Sequence, residues 1–125
     1  MMNSKVSVLI VDDHIHFVER MKGMLDEVEN IHHIDKAHSY AEALLLLETQ
    51  QHDVVLLDIS LPDKSGLDLL QQIQDKSWDC TVIMLSNMSA TYYRQECKRL
   101  GASYFLDKSS DFDLVPEIIN SVHLN

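Results

Sequence analysis

The chain has 125 residues, of which 46% are hydrophobic, and its 20 acidic and 10 basic side chains give a net charge of −10. This length suits one domain with one core, and the hydrophobic content argues against a disordered chain. The acidic balance repels nucleic-acid phosphates, and the longest apolar runs, ALLLL and VVLL, are too short to span a membrane. We therefore expect a single globular domain over residues 1–125 that binds neither nucleic acid nor a membrane.

Two further features bear on the location of the protein. The amino terminus, MMNSKVSVLIVDD, reaches carboxylates too soon to contain the apolar segment and cleavage site of a secretory signal. Cys80 opens a predicted strand and Cys97 lies in a predicted helix, where reduced thiols serve as small apolar side chains. Both features predict a cytoplasmic protein without a disulfide bond.

Short apolar runs and amphipathic segments alternate along the chain. The first, third and fourth runs are nearly continuously apolar, which is typical of strands covered on both faces. The segments between the runs carry apolar residues at helical spacing. In chain order, the pattern predicts a strand at Val6–Val11, a helix with Val18, Met21, Leu25 and Val28 on one face, a strand at Ile31–Ala37, a helix with Leu44, Leu45 and Leu47, a strand at Val54–Leu57, a helix with Leu67, Leu70 and Ile73, a strand at Thr81–Leu85, a helix within YYRQECKRL, a strand at Tyr104–Leu106 and a helix with Leu114, Val115, Ile118, Ile119 and Val122.

Polar residues and a glycine mark the ends of the predicted helices. Four residues are predicted N-caps: Ser39, Ser65, Ser89 and Asp111. Glu42 stands three residues after Ser39, as in a capping box, and Gly101 is placed to end the fourth helix. Five repeats of strand and helix imply an α/β fold, a five-stranded parallel sheet with right-handed crossovers and helices on both faces.

Charged residues follow three of the predicted strands. Asp12 and Asp13 close the first run, Asp58 closes the third, and Lys108 follows the fifth. Because the carboxyl ends of parallel strands open on one edge of a sheet, we expect these side chains to converge. The first two aspartates alone would more often cap a helix, but three gathered carboxylates repel one another unless a cation joins them. The group predicts a Mg2+ site beside a nucleophilic carboxylate, with a lysine that offers positive charge to a phosphoryl group.

Four segments of the sequence together resemble a known family. They are the VLIVDDH opening, the DISLPDKSG loop, the VIMLSN strand end and the GASYFLDK segment. With these segments in order and at consistent separations, nearly the whole chain resembles the receiver domain of two-component response regulators. The resemblance implies a doubly wound, CheY-like sheet with strand order 2-1-3-4-5.

The resemblance also implies roles for residues at the acidic edge. Asp58 is expected to be phosphorylated and to share in binding Mg2+. Asp13 would bind the ion directly, Asp12 would help through water, and the backbone carbonyl of Ser60 would be a further ligand.

Three residues match positions that respond to phosphorylation in this family. Ser86 matches the hydroxyl residue that bonds the phosphoryl group, Lys108 matches the lysine that pairs with it, and Phe105 matches an aromatic switch. A phosphoryl group on Asp58 adds charge and acceptor oxygens, which would draw Ser86 and Lys108 toward it. The space that Ser86 leaves would admit the Phe105 ring, so a charge change becomes a packing change that a partner can bind.

The sequence departs from the family pattern near these positions. Ser109 follows Lys108 where proline is usual, so no cis peptide bond is expected there and the lysine would be placed more loosely. Asn87 is larger than the usual residue and would narrow the approach of water, and Phe105 lacks the hydroxyl of the commoner tyrosine. The seven histidines do not show the spacing of a transition-metal site.

Three functions stay open on the sequence. In the preferred one, Asp58 takes a phosphoryl group from a sensor histidine kinase or phosphotransfer protein, and the altered surface binds a downstream protein; a homodimer is also open. The second is a Mg2+-dependent phosphohydrolase or phosphotransferase that acts on small substrates through an aspartyl-phosphate. The third is an interaction domain that is not phosphorylated. We prefer the first function, in which the chain is a phosphoacceptor and not an enzyme. An enzyme of the second kind would usually need a lid over its pocket, and the predicted connections are too short to form one.

Overall fold

The computed structural model describes residues 5–87 and 91–122, in which strands and α-helices alternate. The elements are β1 (Val6–Val11), α1 (Ile15–Leu25), β2 (Ile31–Ala37), α2 (Tyr40–Thr49), β3 (Val54–Asp58), α3 (Gly66–Asp75), β4 (Thr81–Ser86), α4 (Thr91–Arg99), β5 (Tyr104–Asp107) and α5 (Val115–Asn120), with a 3-10 turn at Phe112–Leu114 before α5. The predicted strands are confirmed, and β3, β4 and β5 each run one residue beyond the predicted end. None of the helices in the described ranges combines the length and apolar character that crossing a bilayer requires.

The five strands form one parallel sheet in the order β2-β1-β3-β4-β5, as predicted. The chain leaves β1 to build β2 on one side and then returns to place β3 on the other. Folds of this kind bind ligands beyond the carboxyl ends of the strands, where the strand order changes direction. In this chain that point lies between the ends of β1 and β3.

Alternate residues of the central strands pack into two cores. Val55 and Leu57 face α2, α3 and α4, whereas Val54 and Leu56 face α1 and α5. All four side chains are fully buried. This two-sided burial explains the continuous apolar runs in the sequence. Polar side chains follow these runs where the strands end, at the carboxyl edge of the sheet.

Two predicted helix starts carry the expected serine caps. Ser39 Oγ accepts a hydrogen bond from Glu42 N at 3.1 Å, but the Glu42 carboxylate accepts from His38 N rather than from the capping residue. Ser65 and Asp68 form a complete capping box at the start of α3. Ser65 also forms an isolated β-bridge with Ser60, which joins the start of α3 to the loop after Asp58.

Other helix ends differ from the sequence prediction. Helix α1 ends at Leu25, so Val28 packs from the following turn rather than from the helix. The Asp111 side chain makes no cap bond and instead accepts from Asp107 N at 2.8 Å. Gly101 ends α4 with a φ of 93°, as predicted for a helix-terminating glycine. The predicted cap at Ser89 lies outside the described residues.

Candidate functional site

The carboxyl edge of the sheet brings together charged residues from three strand ends. Asp12 and Asp13 follow β1, Asp58 ends β3, and Lys108 follows β5. Lys108 Nζ lies 2.6 Å from Asp12 Oδ2 and 3.5 Å from Asp58 Oδ2. The ammonium is therefore closer to the Asp12 carboxylate than to the Asp58 carboxylate, and its expected pairing with a phosphoryl group on Asp58 stays a prediction.

His14 is a fifth member of this group that the sequence did not predict. Its Nδ1 lies 2.9 Å from Asp12 Oδ1, 3.5 Å from Asp13 Oδ1 and 3.8 Å from Asp58 Oδ2. The His14 backbone N–H also donates to Asp12 Oδ1 at 2.8 Å. Its position directly after the aspartate pair was the available signal, because a chain that turns at a strand end keeps neighbouring side chains close.

Burial gives Asp58 unusual acid chemistry. Asp12 and Asp58 are 0% and 3% exposed, and the Lys108 side chain is buried beside them. The pKa of Asp58 is raised from 3.8 to about 6, mainly by burial and also by the nearby Asp12 charge. Lys108 and the Ser60 N–H act in the opposite direction and limit the rise. A site with two buried carboxylates and one ammonium has an unbalanced negative charge, which favours a cation.

The donor atoms at this edge suit a hard divalent cation. One ligand atom from each of Asp12, Asp13, His14 and Asp58 lies within 4.8 Å of all the others. Carboxylate oxygens are the ligands that Mg2+ prefers, and the ion usually keeps several waters. The Asp13 side chain is 37% exposed, so the group opens to solvent on one side. The residues present therefore fit the Mg2+ expected from the sequence.

Aromatic and backbone contacts orient Lys108. Its Nζ lies 4.4 Å from the centroid of the Phe17 ring, a distance at which the ring face attracts a cation. Phe17 contacts Phe112 edge to face, with the ring centroids 5.6 Å apart. The Lys108 backbone N–H donates to the Ser86 carbonyl at 3.0 Å. These contacts tie the lysine to α1, to the turn before α5 and to the end of β4.

Of the remaining predicted residues, Ser60 and Ser86 lie at the same edge, and Phe105 lies two residues before the end of β5. Ser86 ends β4 and is buried, and Ser60 N donates to Asp58 Oδ1 at 3.2 Å. Phe105 is half-buried on β5, and the Arg94 guanidinium lies 4.7 Å from its ring centroid. The predicted roles of Ser86 and Phe105 in switching, and of the Ser60 carbonyl in metal binding, stay predictions.

A close backbone approach places the Asp58 strand end against α3. Gly66 N donates to the Ile59 carbonyl at 2.6 Å. A Cβ atom on Gly66 would lie 2.2 Å from the Asp58 carbonyl oxygen and 2.9 Å from Ile59 Cα, both of them backbone atoms that cannot turn aside. The glycine of the DISLPDKSG loop is therefore required by the geometry at the phosphoacceptor candidate.

Replacing Gly66 with alanine should destabilise the protein, because the added methyl forces the loop away from the end of β3. We expect a loss of about 1–3 kcal/mol in the free energy of unfolding, measured by urea denaturation. Gly23→Ala is the matched control, since no atom beyond its chain neighbours and the backbone of α1 lies within 4 Å of its Cβ position. Alanine there should stabilise by about 0.5–1 kcal/mol. Equal effects of the two substitutions would contradict this account of the loop.

The sequence also matches known proteins. Residues 8–120 match the family described as response regulator receiver domain. The chain is 30% identical over 118 residues to Fimbriae Z protein of Salmonella typhimurium, which covers 94% of this chain and 55% of the relative. It is 31% identical over 103 residues to the transcriptional regulatory protein YdfI of Bacillus subtilis, covering 82% of this chain and 48% of the relative. The chain thus spans about half the length of these two curated relatives.

Solved structures show the same fold. The receiver domain of the Francisella response regulator 1452 is 27% identical, with a TM-score of 0.83, and the match covers 93% of this chain and 94% of the other. A CheY-like response regulator receiver domain protein from Methanospirillum hungatei is 25% identical, with a TM-score of 0.84, and the match covers 94% of this chain and 92% of the other.

Proposed function

We propose, since the chain belongs to the family of response regulator receiver domains, that its Asp58 carboxylate accepts a phosphoryl group from a phosphohistidine of a sensor histidine kinase or phosphotransfer protein. The convergence of buried Asp58 with Asp12, Asp13 and Lys108 carries this proposal. An Asp58 oxygen attacks phosphorus, so an O–P bond forms as the N–P bond of the donor breaks. The donor imidazole keeps the electron pair of that bond and regains a proton.

The residues around Asp58 divide the work of the transfer. Asp12, Asp13 and Asp58, with the Ser60 carbonyl, would hold Mg2+, which when bound supplies positive charge against the phosphoryl oxygens. Lys108 now lies nearest to Asp12, and it would turn from that carboxylate toward the phosphoryl group. Neutralising charge at the reacting oxygens lowers the barrier, because phosphoryl transfer depends on position and electrostatics.

The phosphorylated state would present an altered surface to a downstream protein. Ser86 lies at the end of β4 next to the Asp58 strand, so its hydroxyl can follow the new phosphoryl oxygens. Phe105, on β5, would then change its packing beneath Arg94. A partner that binds the phosphorylated arrangement more tightly than the other would associate only after phosphorylation, because its response depends on the difference between its affinities for the two states.

The shape of the site supports transfer between proteins over turnover of small esters. The Asp13 and His14 side chains are 37% and 56% exposed at an open rim. A cavity of about 420 Å³ is lined by residues 47–52 and 77–80, which precede β3 and β4 at the opposite edge of the sheet. We propose a cytoplasmic phosphoacceptor that passes a signal to a partner, rather than an enzyme that releases a product.

Phosphorylation by a small donor tests this function. Incubation with acetyl phosphate and Mg2+ should add one phosphoryl group per chain, measured by intact mass, and EDTA should prevent the addition. Asp58→Asn should take up none. Uptake by Asp58→Asn equal to that of the parent would overturn the assignment of Asp58. Turnover of generic phosphate esters far faster than loss of the protein's own phosphoryl group would instead favour the enzymatic function.

A further inference from the structure

The turn after β5 contains a hydrogen-bond network centred on Asp107. Its Oδ1 accepts from Ser109 N at 2.8 Å, from the Ser109 hydroxyl at 2.7 Å and from Ser110 N at 3.1 Å. Asp107 N donates to the Asp111 carboxylate at 2.8 Å, and Asp111 N donates to the Asp107 carbonyl at 3.0 Å. Lys108 lies between residues that this network joins.

The network leaves the Lys108 backbone little freedom. On one side, its N–H donates to the Ser86 carbonyl at 3.0 Å, and on the other side the Asp107 carboxylate closes the turn. A lysine side chain has four flexible carbons, so the direction of its first bond decides where the ammonium can lie. We propose that Asp107 is a positioning residue that keeps the Lys108 ammonium at the Asp58 edge. This inference rests on the proposed role of Lys108 at the phosphoryl group.

The chemistry of aspartate suits this position. A short carboxylate can accept from backbone N–H groups two and three residues ahead, which stabilises a turn without a regular helix. The Ser109 hydroxyl, followed by the Ser110 and Ser109 N–H groups, holds the pKa of Asp107 below its usual range, so the side chain stays an acceptor at neutral pH. Asparagine would keep an acceptor oxygen at the same place, whereas alanine would not.

Ser109 contributes two of the three donors that bond Asp107 Oδ1. Its N–H and its hydroxyl both bond Asp107 Oδ1. Proline at position 109 would have neither donor. This chain has Ser109 where proline is usual after the lysine, and the serine donors hold the turn through hydrogen bonds to Asp107.

Substitutions at Asp107 test whether this residue positions the Lys108 ammonium, with a readout that does not depend on phosphorylation. In the full chain, Asp107→Ala should speed solvent exchange of the Lys108 ammonium protons, measured by nitrogen-15 NMR and assigned by the loss of the signal in Lys108→Met. The same substitution should slow phosphorylation by acetyl phosphate at saturating Mg2+ by roughly ten- to a hundredfold, because a small displacement of a charged group is costly. Asp107→Asn should keep both values close to those of the parent, and the Mg2+ affinity should be unchanged in both variants.

Asp63→Ala provides a matched control for the loss of a turn-forming carboxylate. Its side chain accepts from Tyr40 N, Ala41 N and Lys64 N at 2.8, 3.0 and 3.2 Å, away from Lys108. This variant should lose stability and leave Lys108 exchange unchanged. Parent-like Lys108 exchange in Asp107→Ala would overturn the positioning role, as would equal impairment of Asp107→Ala and Asp107→Asn. Faster exchange in Asp107→Ala, with no phosphorylation of the parent, would support positioning and overturn the proposed function instead.

Discussion

Replacing Lys108 with methionine should slow phosphorylation by acetyl phosphate about a hundredfold at saturating Mg2+, since a preorganised charge at a reacting group contributes on that order. Methionine matches the unbranched apolar stem of lysine but lacks the ammonium, which lies 2.6 Å from Asp12 and 3.5 Å from Asp58. The initial rate of mass increase measures the effect. A rate within a factor of about two of the parent would remove Lys108 from the proposed mechanism.

The same substitution should also destabilise the metal-free protein. Without the ammonium, the two buried carboxylates of Asp12 and Asp58 have lost their positive partner, and removing one member of a buried charge pair costs about 3–5 kcal/mol. Urea denaturation in EDTA measures the change. Lys36→Met is the control, because Lys36 pairs with Glu19 at 3.0 Å on the surface, where such a pair contributes about 0–1 kcal/mol. Similar losses in both variants would contradict the description of a buried charge cluster.

Asp58→Asn should stabilise the metal-free protein above about pH 6, because the Asp58 pKa is raised from 3.8 to about 6 by folding. Below the unfolded-state pKa, the Asp58 carboxyl is protonated in both the folded and the unfolded state and does not change the free energy of unfolding. Between the two values, the folded state binds more protons than the unfolded state, so the free energy of unfolding falls as pH rises. Asparagine removes this loss, which we expect to be on the order of 1–3 kcal/mol.

Denaturation in EDTA at several pH values measures this dependence. The advantage of Asp58→Asn over the parent should be absent near pH 4, grow up to about pH 6 and stay constant above it. Asp26→Asn, at an exposed carboxylate paired with Lys22 at 3.1 Å, controls for the loss of one negative charge. A difference between Asp58→Asn and the parent that does not change with pH would contradict the burial of an unbalanced carboxylate.

Much of the fold could be predicted because it depends on local pattern. Continuously apolar runs such as that of Val54–Asp58 are needed where helices cover both faces of a sheet, so the sequence marks such strands directly. The grouping of the aspartates with Lys108 follows from the shared carboxyl edge of parallel strands. The family resemblance then supplied the strand order, which hydrophobic periodicity does not specify.

Other features depend on contacts between distant segments and carry no local signal. Nothing in the sequence distinguishes Asp12 from Asp58 as the nearer partner of Lys108, because this depends on how far the side chain reaches across the edge. Aspartate is a common N-cap residue, but the Asp111 carboxylate accepts from Asp107 N instead of capping the helix. The turn after β5 uses the acceptor that a cap would need. Asp107 likewise carries no local signal of its role in the turn, because its bonds to Ser109 and Ser110 form only in the folded turn.

Identification of the modified residue tests the central proposal most directly. After treatment with acetyl phosphate and Mg2+, borohydride reduction of the acyl phosphate followed by peptide mass analysis should place the modification at Asp58 alone. Modification at another carboxylate, or unchanged labelling at position 58 when Mg2+ is removed with EDTA, would contradict a metal-assisted phosphoacceptor at this edge of the sheet.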